Sequence, residues 1–195
     1  MASSEVIDFV FDAINLAKNL CGINLKVDSF NRAQGDCLLE SIILNVNHRK
    51  EFEKIKLDKS VDEYRKEWSL VGSLVTKNYG VFTGYSSAEF DAGWKKLSQP
   101  LEYNIPDFGD AMITVISHCL QLDILLINTT AKNILLIQCN TFMESRTAKS
   151  EHPIILCYSS FPILHYESLL PVDSSDVAHA SILRKDYFLA DPSFV

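Results

Sequence analysis

The order of the apolar segments constrains this chain more than any other feature. In "FGDAMITVISHCLQLDILLINTT", Ala111, Met112, Val115, Ile116, Cys119 and Leu120 recur at i, i+1, i+4, i+5, the stripe of a helix with a buried face. "DILLINT" follows at once as a buried strand, and "NILLIQC", "PIILCYS" and "LHYESLL" are three more strand candidates. Upstream, helical spacing dominates. Val6, Phe9, Val10, Ala13, Ile14, Ala17 and Leu20 mark an amphipathic helix over 4–21, with Gly22 as its stop. After a short strand in "INLKVDSF" and a second helix from Cys37 comes a polar, Lys/Glu-rich stretch, "NHRKEFEKIKLDKS". Tyr64, Trp68, Val71 and Val75 predict a longer helix ending near Tyr79 and Gly80. "SSAEFDAGWKKLSQP" reads as another, capped by Ser86 or Ser87 and ended before Pro100. Helices first and strands after predict a mixed α/β (α+β) domain, a small central sheet flanked by helices with a helical lobe. The 195 residues suit one domain over 1–170, with 171–195 as a C-terminal extension carrying a short helix, "VAHASILRKDYFL".

Composition removes several function classes. Net charge is −7, and basic residues run no longer than pairs such as Lys95-Lys96, so no nucleic-acid groove is expected. No apolar run reaches the length of a membrane span, and Glu5, Asp8 and Asp12 are out of place in a signal peptide. The five cysteines, Cys21, Cys37, Cys119, Cys139 and Cys157, are odd in number and form no C-x-x-C pair, which predicts reduced thiols in a cytoplasmic setting. No structural zinc fits these spacings, and "FDAGW" and "DFGDAM" lack a phosphate or dinucleotide pattern. No metal and no cofactor are therefore expected.

The chemistry concentrates in "NRAQGDCLLESIILNV", residues 31–46. Leu38, Leu39, Ile42, Ile43 and Val46 have helical spacing, so Cys37 falls at the first turn of an apolar-faced helix. There the positive end of the helix dipole and unpaired N–H groups favour a thiolate and can hold an oxyanion. Most free cysteines are simply buried. Gly35, which permits an unusual turn, and Asp36, which is hard to bury, favour the reactive reading here. Among the histidines, His48, His118, His152 and His179 read as surface, loop or tail residues. His165 alternates with Glu167 on one face of a strand, so the carboxylate can orient the imidazole. An ordinary surface pair on a half-exposed strand fits the same spacing.

Together these segments resemble the ovarian-tumour (OTU) family of papain-like cysteine proteases, most of them deubiquitinases. The cysteine box stands as Gln34-Gly35-Asp36-Cys37-Leu38-Leu39-Glu40-Ser41-Ile42, the histidine box as His165-Tyr166-Glu167-Ser168, and "DFGDAMITVISHCLQLDILLIN" matches the element between them. The resemblance covers roughly residues 28 to 170. It implies a papain-like OTU fold with Cys37 as nucleophile, His165 as general base, Glu167 as its orienter, and the loop Gln34, Gly35 and Asp36 forming the oxyanion hole. It also implies a monomeric thiol isopeptidase that hydrolyses the bond between the ubiquitin C-terminal glycine and lysine, on ubiquitin or polyubiquitin. A same-fold protease for a ubiquitin-like modifier or polyprotein, and a silent module that only binds ubiquitin or another protein, are the alternatives. Two residues depart from the family pattern: Gln34 replaces the usual Asp, and Glu167 is one methylene longer than the usual Asn or Asp.

Overall fold

A four-stranded sheet in the order β3-β2-β4-β5 frames the computed structural model, which describes residues 4–31, 35–79, 87–99, 109–139, 152–161 and 164–173. Its strands are β2 (Ile124–Asn128), β3 (Asn133–Ile137), β4 (Ile154–Ser159) and β5 (His165–Ser168). β2 runs parallel to β4, and the other pairings are antiparallel. A separate two-stranded ribbon joins β1 (Leu25–Lys26) to β6 (Leu170–Pro171), with Leu25 opposite Pro171. The helices among the described residues are α1 (Ser4–Cys21), α2 (Cys37–His48), α3 (Val61–Tyr79), α4 (Ser87–Leu97) and α5 (Gly109–Leu120). The fold class is thus mixed α+β, with the strands of the main sheet following the helices.

Alternation along the strands divides the core in two. Ile124, Leu126, Ile154, Leu156 and Tyr166 pack into one cluster with residues of α2, α3, α4 and α5. Leu125, Ile127, Ile155 and Cys157 point the other way, against Val6, Phe9, Val10, Ala13 and Ala17 of α1. Both faces of β2 and β4 are covered, which is why their sequences are unbroken apolar runs. The turn from α5 into β2 is tight. Gln121 takes a left-handed conformation (φ 54°), Ser117 Oγ donates to Leu122 O (2.7 Å), and the Leu122 N–H donates to Ser117 O (3.2 Å). Gly22 closes α1 similarly (φ 68°), with its N–H on Lys18 O (2.9 Å).

The structure refines several expectations. The strand expected in "INLKVDSF" shrinks to Leu25–Lys26, because its partner β6 is equally short and Asp28 beyond it pairs with His48 (2.8 Å). The Lys/Glu-rich stretch after α2 is not uniformly solvated. Phe52 is buried, and buried Arg49 lies over its ring (4.5 Å) while donating to Pro153 O (2.5 Å). The ribbon holds the chain past residue 170, since Pro171 pairs with Leu25 and the Val172 N–H donates to Asn24 O (3.0 Å). The helix expected in "VAHASILRKDYFL", and His179 with it, lie outside the described residues.

Trp68 and Trp94 are core residues, both 2% exposed. Trp94 packs so closely on α3 that a Cβ added to Gly72 would lie 2.5 to 2.7 Å from its ring. Replacing a helical glycine with alanine ordinarily gains ~1 kcal/mol. Overpacking costs about 1 to 3 kcal/mol, and a buried indole has little room to retreat. Gly72→Ala is therefore expected to lower the urea unfolding midpoint. A raised midpoint would show that α4 shifts freely over α3.

Candidate active site

One stripe of α2 places Cys37. Cys37, Ser41 and Asn45 are four residues apart and share a face, while Leu38, Leu39, Ile42 and Val46 are buried in the core. Ser41 Oγ donates to Tyr166 O (3.0 Å). The Asn45 amide nitrogen reaches Ile155 O (2.9 Å), Ser168 Oγ (3.0 Å) and Leu169 O (2.7 Å). These bonds fasten α2 along β5 in a fixed register. The first turn of the helix, with Cys37, then meets the first residue of the strand, His165, near enough for the thiol to act on the imidazole.

The loop before α2 is built to leave the helix start open. Gly35 takes a left-handed conformation (φ 88°) that glycine adopts without strain. Asp36 precedes the helix, but its carboxylate makes no cap. It pairs instead with the guanidinium of Arg65, a side chain of α3 with no exposed surface. The first intrahelical bond runs from the Glu40 N–H to Asp36 O (3.0 Å), so the N–H groups of Cys37, Leu38 and Leu39 precede the ladder. Backbone donors thus gather at the sulfur, where negative charge is favoured. Gln34 lies outside the described residues.

His165 and Glu167 share a face of β5, opposite Ser159 and Cys157 of β4. His165 Nε2 lies 3.3 Å from Glu167 Oε1, which leaves Nδ1 as the other ring nitrogen. The Phe9 ring of α1 packs edge-on against the imidazole, with centroids 5.9 Å apart at 75°. Glu167 has no exposed surface, and the Asn31 N–H donates to both of its oxygens (2.7 and 3.0 Å). The pair is therefore buried, not the surface pair that the same spacing would also fit. Cys37 itself is 5% exposed and His165 8%.

The charges around the ring settle its protonation. Burial alone would lower the His165 pKa, but hydrogen bonds to Cys37 and Glu167, reinforced by their charges, raise it from 6.5 to about 9. Burial lifts Cys21 and Cys119 to about 11 and pushes Cys157 well up, so these sulfurs stay protonated near neutral pH. Cys119 is only half-buried, where its place in an apolar stripe predicts full burial. Among the described residues, no group of His, Cys, Asp or Glu is gathered to hold a metal ion.

The structure thus brings Cys37, His165 and Glu167 together at the meeting of α2 and β5, with Gly35 and Asp36 just before the cysteine. Sequence reasoning missed Asn31, Arg65 and Phe9. Asn31 and Glu167 are 136 residues apart, and Arg65 and Asp36 are 29 apart, so no local pattern joins them. Ser41 and Asn45 did carry a signal: polar residues four and eight positions after the cysteine, on the same stripe of the helix.

No family model and no curated protein matches the sequence. Among solved structures, the chain is similar to an ovarian-tumour (OTU) domain in complex with ubiquitin, at 15% identity and a TM-score of 0.50, over 82% of this chain and 87% of that one. The protein therefore has an OTU-like fold.

A raised histidine pKa fixes the sign of a pH effect. The charged imidazole contributes stability that is fully present below 6.5 and is lost as pH rises through about 9. The melting temperature of the wild type is expected to decline across that window more steeply than that of His165→Ala. Parallel declines would show that His165 gains no charged partner on folding.

Proposed function

We propose that this protein is a cysteine-dependent deubiquitinase, a thiol isopeptidase acting on ubiquitin or polyubiquitin. One observation carries the reading: a helix-start cysteine beside a histidine whose Nε2 meets a buried carboxylate. The similar OTU domain was solved with ubiquitin bound, which supports the same partner here. The acidic net charge of −7 suits a basic substrate tail.

The chemistry follows from the parts. With His165 charged, Cys37 acts as a thiolate and its sulfur attacks the glycyl carbonyl carbon. A C–S bond forms, the carbonyl electrons move to oxygen, and N–H groups at the start of α2 receive that oxyanion. As it collapses, the C–N bond breaks and His165 protonates the departing lysine amine. Water then gives a proton to His165 while its oxygen attacks the thioester. The C–S bond breaks, releasing the ubiquitin carboxylic acid, which gives its remaining proton to solvent, and restoring the thiolate–imidazolium pair. Glu167 holds the ring in position through both steps. No cofactor takes part. All five cysteines are free thiols, which fits a reducing, cytoplasmic setting.

The test is turnover of a fluorogenic ubiquitin C-terminal substrate. The wild type is expected to cleave it, Cys37→Ala to be inactive, and His165→Ala to lose roughly 10² to 10⁴-fold. Activity should fall as pH rises above about 9, where the ring loses the proton that the leaving amine needs. A folded wild type that leaves ubiquitin substrates intact but cleaves a ubiquitin-like modifier would move the specificity. One that cleaves neither would leave a binding module.

A further inference from the structure

Asn31 stands where three parts of the site meet, and its contacts differ in kind from those of any other residue there. It is 5% exposed, between the β1–β6 ribbon and α2. Its main-chain N–H donates to both oxygens of Glu167. Its side-chain nitrogen donates to Cys37 O (2.7 Å) and to Ser41 Oγ (3.2 Å). A carbonyl oxygen only accepts, so the contact with Cys37 fixes which way the amide points. Ser41 in turn gives its own proton to Tyr166 O, the residue between His165 and Glu167. The bonds from Asn31 therefore run to the acid, to the nucleophile's own peptide and, through Ser41, back to the strand that bears the base.

We propose that Asn31 is the positioning residue that ties the acid of this site to its nucleophile, its main chain gripping Glu167 while its side chain grips the carbonyl of Cys37. The proposal rests on the reading of Cys37, His165 and Glu167 as a working triad. Removing the amide frees the first turn of α2 and loosens the loop whose N–H holds Glu167. The sulfur, the imidazole and the carboxylate then lose their shared register. A misplacement of about 1 Å in such a site costs on the order of 10²-fold in rate. Substrate binding, which relies on surface away from this buried link, should change little.

Steady-state kinetics on the ubiquitin substrate and a 15N-histidine NMR titration of His165 test this in the full chain. Two variants are compared: Asn31→Ala, and Asn31→Asp, which keeps the volume but sets an acceptor against the Cys37 carbonyl. Both are expected to lose about 10²-fold in kcat, with KM within about twofold, the split that a loss confined to the transition state gives. In Asn31→Ala the His165 midpoint should fall from about 9 toward 6.5 as Cys37 and Glu167, the groups that face the ring, lose their hold on it. Glu40, whose carboxyl is raised by burial and by the charge of Glu167, is the other acid nearby and is left intact.

Asn47→Ala is the control. Asn47 anchors the far end of α2 to Leu57, donating to its carbonyl (2.9 Å) and accepting from its N–H (3.2 Å). It should lower the melting temperature without moving kcat or the His165 midpoint. Asn31 variants that match this control in both readouts would overturn the proposal and leave Asn31 a structural anchor. Should Asn31→Ala fail to fold, Asn31→Asp carries the comparison. The titration needs no substrate, so an enzyme that cleaves no ubiquitin would sink the proposed function while the His165 midpoint still decides the role of Asn31.

Discussion

A carboxylate without exposed surface is costly unless its oxygens are satisfied. Glu167 is satisfied from two directions: the Asn31 N–H spans both oxygens, and His165 Nε2 approaches one of them. The rest of the site follows from that. The β1–β6 ribbon brings residue 31 alongside β5, and the buried polar stripe of α2 locks the helix to the same strand. The sheet, covered on both faces, gives β5 a rigid neighbour in β4.

A second constraint acts at the helix start. Asp36 would ordinarily cap α2 and occupy its N–H groups. The buried guanidinium of Arg65 draws its carboxylate away. Breaking a buried ion pair by removing one partner is strongly destabilising, typically about 3 to 5 kcal/mol. The same pair that braces the loop thus leaves the first-turn donors facing the sulfur. The brace on the loop and the uncapped helix start come from one interaction.

The fold class was legible because its evidence is local. The stripe from Ala111 to Leu120, the unbroken runs at Ile124 and Ile154, and the alternation at His165 and Glu167 each report the environment of their own segment. The nearness of Cys37 to His165 was not local, and only the joint order of the two boxes suggested it. Asn31 and Arg65 stayed hidden for the same reason: each acts on a partner brought near by folding, and neither sits in a periodic pattern. The 23–30 strand was overestimated because β-forming residues need a partner strand, and β6 offers only two residues. Cys119 sits in an apolar stripe, yet that stripe's margin is half-buried, which periodicity does not distinguish from its centre.

The proposed function requires that Cys37 be the one sulfur activated by this arrangement and that ubiquitin be its partner. The most direct measurement uses a ubiquitin bearing a C-terminal electrophile, with intact mass and peptide mapping of the product. The account predicts one adduct, one ubiquitin heavier, mapped to Cys37 and absent from Cys37→Ala, with Cys21, Cys119, Cys139 and Cys157 unmodified. A folded protein that forms no adduct, or forms it at another cysteine, would contradict it.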